Sequence, residues 1–225
     1  MIAKAPALAG VVAMVSAFAV AGDAIAPAAA ETLRRVLASP LVDEGSGPDG
    51  CTPALSGLGG PVVWEVRLER LLLDGKALVE TSRQADPNRY PLCIADLPMA
   101  KNAEVELSFV IHAGVLARAA GLVLRFADPQ DYYVAEADAL DDKVRLSRVV
   151  NGERREIRAR AVALAVAQAQ TLKVKAVEAS FSVFLDGKFL FETHDSGIAT
   201  PGRFGVASRA DSATGFGDLF ITVLE

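Results

Sequence analysis

The sequence is poor in the residues that build metal centres and nucleophilic sites. Its 225 residues include two histidines, His112 and His194, and two cysteines, Cys51 and Cys93. The histidines lie far apart in the chain, and neither has a cysteine at the spacing of a zinc site. This composition argues against a zinc centre and against a Cys–His nucleophile.

The chain also lacks an excess of positive charge and, beyond its first 30 residues, any long apolar run. Lysine and arginine number 23 against 28 acidic residues, which gives a formal net charge of −5. Nucleic-acid-binding proteins usually carry a basic stripe, so no nucleic-acid partner is expected. A transmembrane helix needs about 20 apolar residues, so no membrane span is expected once a leader is removed.

The clearest pattern in the sequence is the alternation typical of β-strands, above all in the segment 171–195. Leu172, Val174 and Ala176 alternate with polar residues, which is the period of a strand with one face in the core. Farther along, Asp186-Gly187 separates two apolar runs and supplies the positive φ angles of a two-residue hairpin turn. The segment is therefore predicted to form a three-stranded meander.

The same pattern recurs through most of the chain. Asp74-Gly75 and Asn151-Gly152 predict two further hairpins, and about twelve short strands are predicted from Pro61 onward. The segment 160–170 is rich in alanine and would be helical on propensity alone. Because it lies between strands and has no N-cap residue, we predict a strand followed by a loop. The predicted fold class is all-β, a two-sheet sandwich or jelly roll.

The first 30 residues have the composition of a secretory signal peptide. Lys4 precedes the apolar run 11–20, and the small residues 28–30 stand where a signal peptidase would cleave. Asp23 and Pro27 interrupt the apolar stretch, which disfavours a membrane anchor. The predicted protein is therefore periplasmic or secreted. Its predicted organisation is a signal peptide over 1–30, a lead-in segment over 31–60 and one β-sandwich domain over 61–225.

Both cysteines follow the predicted signal peptide. In an oxidising compartment a pair of cysteines is more often bridged than free, so a disulfide between Cys51 and Cys93 is predicted. Two separate buried thiols are the alternative.

Four segments between residues 120 and 221 resemble a known superfamily. They read AGLVLRFADPQDYYVAEADAL, DDKVRLSRVVNG, TLKVKAVEASFSVFLDGKFLFETHD and GRFGVASRADSATGFGDLFI. In this order they resemble the concanavalin A-like lectin/glucanase superfamily. The nearest branch is that of bacterial exported domains related to laminin-G-like and 3-keto-disaccharide hydrolase modules. The resemblance implies a concanavalin A-like jelly roll with a face that can hold a saccharide.

Glu136, Asp138 and Asp141 nearly copy the E-x-D-x-x-E run of laminarinase-type glucanases in that superfamily. Retaining hydrolysis needs two carboxyl groups about 5–5.5 Å apart, one protonated and one nucleophilic. The third group here is an aspartate, one carbon shorter than glutamate, and it adjoins Asp142 in a predicted turn. We interpret the run as a strand end leading into an acidic turn, and we assign no catalytic residue.

No cofactor is expected, with calcium as the alternative. Relatives in the superfamily can hold calcium at the rim of the sandwich, and this ion needs six to eight oxygen ligands. The aspartates near predicted strand ends are Asp128, Asp131, Asp138, Asp141, Asp142, Asp211 and Asp218. They show no compact ligand spacing, so no metal ligand is assigned.

Alternation along three neighbouring strands predicts one polar patch. Residues out of phase with the apolar or small positions of their strands should face solvent together. These residues are Arg125, Tyr132, Glu136 and Arg145. Arginine offers a donor fork, glutamate an acceptor and tyrosine a flat ring, so the set is a candidate glycan site. A cross-strand charge ladder is the alternative interpretation. If Tyr132 faces solvent in this way, replacing it with alanine would change the free energy of unfolding by about 0.5 kcal/mol at most.

The function favoured by the sequence is that of an exported, non-catalytic carbohydrate-binding module, which rests mainly on the resemblance. A glycoside hydrolase or lyase of the 3-keto-disaccharide hydrolase or glucanase type is the first alternative. A structural or protein-interaction module of the envelope is the second. The protein is expected to be a monomer whose partner is a saccharide.

The predicted leader generates a first test. Mass spectrometry of the exported protein should give a mature N-terminus near Glu31, because the small residues 28–30 precede it. An exported chain that still begins at Met1 would contradict the prediction.

Overall fold

A computed structural model describes residues 32–35 and 43–224, so the predicted signal peptide lies outside the described residues. The predicted all-β class is confirmed, because these residues form fifteen strands and no helix. The described part of the chain therefore offers no helical segment with the length and apolarity of a membrane span. The strands are β1 Thr32–Arg35, β2 Cys51–Gly57, β3 Trp64–Leu68, β4 Lys76–Glu80, β5 Arg89–Ala95, β6 Ala103–Ala113, β7 Ala119–Asp128, β8 Asp131–Asp138, β9 Lys143–Val150, β10 Glu153–Ala161, β11 Ala169–Val177, β12 Ser180–Leu185, β13 Lys188–His194, β14 Arg203–Ala207 and β15 Ala213–Val223.

The strands pair antiparallel in two sheets. Sheet A runs in the order β13-β12-β11-β6-β15-β4-β3, and β1 pairs with β15 beside this path. Sheet B runs in the order β10-β9-β8-β7-β14-β5-β2. The lead-in predicted for residues 31–60 contains β1 and β2, which add a strand to each sheet.

Two predicted hairpins have the expected turns. Asn151 and Gly152 both have positive φ, 52° and 78°, between β9 and β10. Asp186 and Gly187 repeat the arrangement between β12 and β13, with φ of 49° and 73°. Such angles match the twist of the flanking strands, which is why Asx-Gly marks these turns.

The third predicted hairpin differs. Gly75 has positive φ, but the strand before it ends at Leu68, and the apolar residues 71–73 lie in a loop. Leu72 packs instead on the outer side of sheet A, against Ala77 and Val110. Three consecutive apolar residues can thus lie in a loop that packs on a sheet, and they need not form a strand.

The main core lies between the two sheets. Phe109 and Phe216 of sheet A and Leu122 and Leu146 of sheet B are completely buried there. Burying a side chain of this size stabilises the fold by about 1.5–3 kcal/mol, so this layer is the principal source of stability. The alanine-rich segment 160–170 does not enter a helix; β10 ends in it, a loop follows, and β11 begins.

Cys51 and Cys93 form a disulfide at the edge of this core. They lie on the paired strands β2 and β5, with their Cα atoms 5.5 Å apart. Cys93 is fully buried and Cys51 nearly so. The bond ties β2, the edge strand of sheet B, to its neighbour.

The second prediction concerns this disulfide. Both thiols should resist alkylation in the native protein until a reductant is added. Replacing both cysteines with alanine should lower the free energy of unfolding by roughly 3–4 kcal/mol, because the bond restricts the unfolded chain. Rapid labelling of Cys51 and Cys93 in native, unreduced protein would refute the bond, and a stable alanine variant would refute its energetic role.

Candidate functional site

The two faces of sheet B have different chemistry, as β8 shows. Tyr133, Ala135 and Ala137 belong to the core between the sheets. The intervening residues, including Val134 and Glu136, point to the opposite side because successive side chains of a strand alternate. We call this opposite side the outer face of sheet B.

Half of the outer face is apolar. A second hydrophobic cluster joins Leu92, Val123, Tyr132, Val134 and Val149, all almost fully buried. Ile94 and Ala207 complete it. Sheet B is therefore buried on both faces in this region, which explains why its central strands are nearly continuous apolar runs.

The other half of the outer face is a charged network around Glu136. This side chain is 3% exposed and contacts three guanidinium groups. Its Oε1 lies 3.1 Å from Nε of Arg145 and 3.5 Å from Nη1 of Arg209, and its Oε2 lies 3.4 Å from Nη1 of Arg154. The arginines come from β9, from the segment after β14 and from β10, so one carboxylate joins three parts of the chain.

The run Glu136, Asp138 and Asp141 is organised by Arg145. Its Nη2 donates to Asp138 at 2.9 Å and to Asp141 at 3.0 Å, while its Nε faces Glu136. Burial opposes ionisation of Asp141, but the hydrogen bond and charge of Arg145 outweigh it and lower the pKa of this carboxyl. All three carboxylates thus share one guanidinium group, that of Arg145.

Tyr90 and Arg154 form the link between this network and open space. The Arg154 guanidinium lies over the Tyr90 ring, with Cζ 4.0 Å from the ring centroid. Both residues line a cavity of about 950 Å³ that extends to Asn88 and Gln130. They also line a smaller cavity of about 200 Å³ over Glu136. We call the two adjoining cavities the sheet B groove.

Several polar atoms at the groove are buried without a hydrogen bond of good geometry. They include Nε and Nη2 of Arg154 and Nε of Arg209. The Tyr132 hydroxyl lies beside Ser56 and Arg154 without a well-aligned bond, and burial raises its pKa although Arg154 acts in the opposite direction. Buried polar groups normally have partners, so this cluster marks a place suited to a polar ligand.

Arg125, predicted to face solvent beside these residues, faces the other way. It is 1% exposed and has a φ of 48°, at a point where the register between β7 and β8 shifts. A bulge inserts an extra residue and reverses the alternation that follows it. Phe126 consequently packs with the outer cluster, and the prediction for Arg125 was wrong.

The Arg125 side chain enters the space between the sheets. It donates to three backbone carbonyls, those of Lys101, Glu178 and Ile198, at 2.6–3.0 Å. Its Cζ also lies 5.0 Å from the centroid of Phe181. Burial lowers the pKa of this guanidinium, and Tyr133 and Glu178 partly offset that shift. Arg125 closes one end of the sandwich and takes no part in the groove.

The other three predicted residues do share the outer face of sheet B, but Tyr132 and Glu136 are buried and Arg145 is only 11% exposed. Glu136 and Arg145 are directly opposite each other on β8 and β9. Tyr132 is completely buried in the outer cluster, so its assignment as a surface residue was wrong. Its truncation would open a cavity and cost about 3–5 kcal/mol, by analogy with other buried aromatic residues.

Sequence reasoning missed Tyr90, Arg154 and Arg209 as site residues. Arg154 lies in a run of β10 arginines whose other members, Arg155, Arg158 and Arg160, are exposed, a pattern typical of a solvated strand face. Arg154 pairs with Val149, and Val149 is out of phase with the core residues of β9. This pairing was the available signal that Arg154 lies on the outer face. No local signal brings Tyr90 or Arg209 to this face, because β5 and β14 are distant in sequence from β8.

The aspartates considered as calcium ligands are engaged in other contacts. Asp211 accepts from the amides of residues 115–117, and Asp128 accepts from the amide of Gln130. Asp131 and Asp142 accept from the amides of Asn151 and Leu164. Within 32–35 and 43–224, no three histidine, cysteine or acidic side chains converge as a metal site.

Comparison with known proteins identifies the fold but no family. No protein-family model and no curated protein sequence matches the chain. Among solved structures, the carbohydrate-binding module CBM66 from Bacillus subtilis is similar, with a TM-score of 0.56 and 21% identity over 75% of this chain and 94% of that one. A Bacillus subtilis protein of unknown function with a galectin-like fold gives a TM-score of 0.54 at 11% identity, covering 76% of this chain and 88% of that one.

A third similar structure is domain 4 of AbnA, a GH43 extracellular arabinanase from Geobacillus stearothermophilus, in complex with arabinotriose. It gives a TM-score of 0.50 and 13% identity over 76% of this chain and 82% of that domain. At these identities the likeness establishes the fold alone, a two-sheet jelly-roll sandwich like that of the similar structures.

The charged network gives the third prediction. Glu136→Gln should lower the free energy of unfolding by about 3–5 kcal/mol, because it leaves three partly buried guanidinium groups without their shared anion. Glu153→Gln is the matched control, since Glu153 is exposed on the neighbouring strand β10 and lies outside the groove, and it should change stability by about 0.5 kcal/mol at most. Urea unfolding of the two variants measures both values. Equal, small effects would contradict the network.

Proposed function

We propose that this protein is an exported, non-catalytic module that binds a saccharide in the sheet B groove. The observation that carries the proposal is the Tyr90–Arg154 pair, which lines both cavities of the groove. The larger cavity, about 950 Å³, is at the upper end of the range of small-molecule sites. It is large enough for an oligosaccharide fragment.

The lining of the groove suits sugar hydroxyls. Arg154 and Arg209 present guanidinium donors, and the buried carboxylate of Glu136 holds both in place. The Tyr90 ring adds an aromatic surface beside them. Fixed polar groups lose little freedom when a ligand binds, so preorganisation of this kind favours affinity.

The similar structures support the same proposal. One is described as a carbohydrate-binding module, and another as a domain in complex with arabinotriose. We infer that the shared sandwich serves a related purpose here, within the laminin-G-like or 3-keto-disaccharide hydrolase-like branch that the sequence resembles. Its export, to the periplasm or the medium, is proposed from the signal-like composition of residues 1–30.

The absence of catalysis is proposed from the state of the carboxylates. A retaining glycosidase needs one protonated and one ionised carboxyl group. Glu136 and Asp138 are both held in ion pairs with Arg145, and we infer that neither carboxyl group is free to act as the acid or the nucleophile. A hydrolase or lyase remains the alternative activity, and the test below includes it.

The proposal is tested with a glycan array and with arabinotriose as a defined probe. The parent protein should retain at least one glycan, and Arg154→Gln should weaken that binding by about tenfold or more, since charge-assisted hydrogen bonds contribute about 1.5–3 kcal/mol. Arg155→Gln is the matched control, because Arg155 is the exposed next residue of the same strand and points to the other side. It should bind like the parent.

Three outcomes would overturn the proposal or part of it. Equal binding by both variants would remove the groove as the site. Release of shorter sugars from a bound glycan would replace binding by hydrolysis. A folded parent protein that retains no glycan would favour a structural or interaction module of the envelope.

A further inference from the structure

A separate cavity lies on the outer side of sheet A, away from the sheet B groove. It has a volume of about 540 Å³, within the range of small-molecule sites. β3, β4, β15 and the end of β6 form it, and the loop after β3 covers one side. None of its lining residues belongs to the groove.

The floor of this cavity is apolar and made of small residues. Val79, Ala213 and Gly215 line it. A Cβ atom at Gly215 would stand 2.9 Å from Cβ of Ala77 and 3.5 Å from Oε2 of Glu69, so no side chain fits there unless a neighbour moves. Glycine keeps the floor open, and the surface suits a flat apolar body.

One wall carries a fixed imidazole. Nε2 of His112 lies 2.6 Å from Oε2 of Glu69, and the other oxygen of Glu69 accepts from the amide of Leu71. The Glu69 side chain is only 10% exposed, whereas that of His112 is 42% exposed. Glu69 thus orients the ring with one nitrogen, and the accessible ring remains part of the cavity lining.

The charged lining is cationic although the whole chain is acidic. Arg67, Arg83 and one carboxylate, Glu69, line the cavity. Glu69 contacts His112, and Arg67 pairs with Glu65 just outside the lining, so Arg83 supplies the cation that neither carboxylate contacts. The formal net charge of the chain is −5, so a local excess of arginine is a feature of this cavity and not of the composition. A guanidinium binds a carboxylate through two parallel hydrogen bonds and is less hydrated than an ammonium group.

We propose that this cavity is a second ligand site, for a small organic acid that carries a carboxylate on a flat apolar body. The carboxylate binds Arg83 beside His112, with Arg67, which Glu65 holds in place, as a second donor. The apolar body lies on the floor of Val79, Ala213 and Gly215. The site is independent of saccharide binding on sheet B.

The two histidines provide the test. His112 lines the cavity, whereas His194 lies on β13 outside it, so the imidazole signals of the full chain report binding and its location. Benzoate is the probe, acetate supplies the charge without the apolar body, and benzyl alcohol supplies the ring without the charge. Benzoate should shift the His112 signals saturably, with a dissociation constant of about 1 mM or lower, and leave those of His194 in place.

Acetate and benzyl alcohol should each bind at least about tenfold more weakly than benzoate. Arg83→Gln should weaken benzoate binding by about tenfold, and Arg67→Gln should weaken it as well. Arg160→Gln, an exposed arginine of β10, should change nothing. The proposal is overturned by unsaturable or absent shifts of His112, by equal shifts of His194, by equal affinity for benzyl alcohol, or by parent-like affinity in both arginine variants.

Discussion

The pairing of Glu136 with three arginines is the interaction on which the outer face of sheet B depends. A buried carboxylate is costly unless charged partners and hydrogen bonds surround it. Arg145, Arg154 and Arg209 reach it from three separate segments, and Arg145 also holds Asp138 and Asp141. The position of each guanidinium is therefore set by the same anion. The ion pairs of Glu136 thus determine where the polar groups of the sheet B groove lie.

This arrangement also separates two roles that a sheet face can combine. The apolar cluster around Tyr132 fills half of the outer face and stabilises it, while the charged half leaves polar atoms with incomplete bonding. A ligand at the junction would meet the aromatic ring of Tyr90 and the donors of Arg154 together. Sites of this type offer specificity through the polar groups and affinity through desolvation.

Much of the fold could be predicted because alternation and Asx-Gly turns are local properties of the sequence. The pattern placed Tyr132, Glu136 and Arg145 on one face, where the structure has them. It failed at Arg125, because a bulge at a positive φ inverts the facing and no glycine announces it. Alternation also predicts which face of the sheet a side chain lies on, but it does not predict whether that face is covered. Tyr132 therefore could not be recognised as buried. Tyr90 and Arg209 required the order of strands in sheet B, which is a non-local property.

The inward turn of Arg125 has a consequence for how the two sheets fit together. The apolar core between them is non-directional and by itself would allow small sliding of one sheet over the other. Arg125 belongs to sheet B, and its guanidinium donates hydrogen bonds to the backbone carbonyls of Lys101 and Glu178. Lys101 lies just before β6 and Glu178 directly follows β11, and both strands belong to sheet A. Hydrogen bonds weaken steeply when their geometry changes. The hydrogen bonds of this one bulged residue thus fix the position of sheet B relative to sheet A.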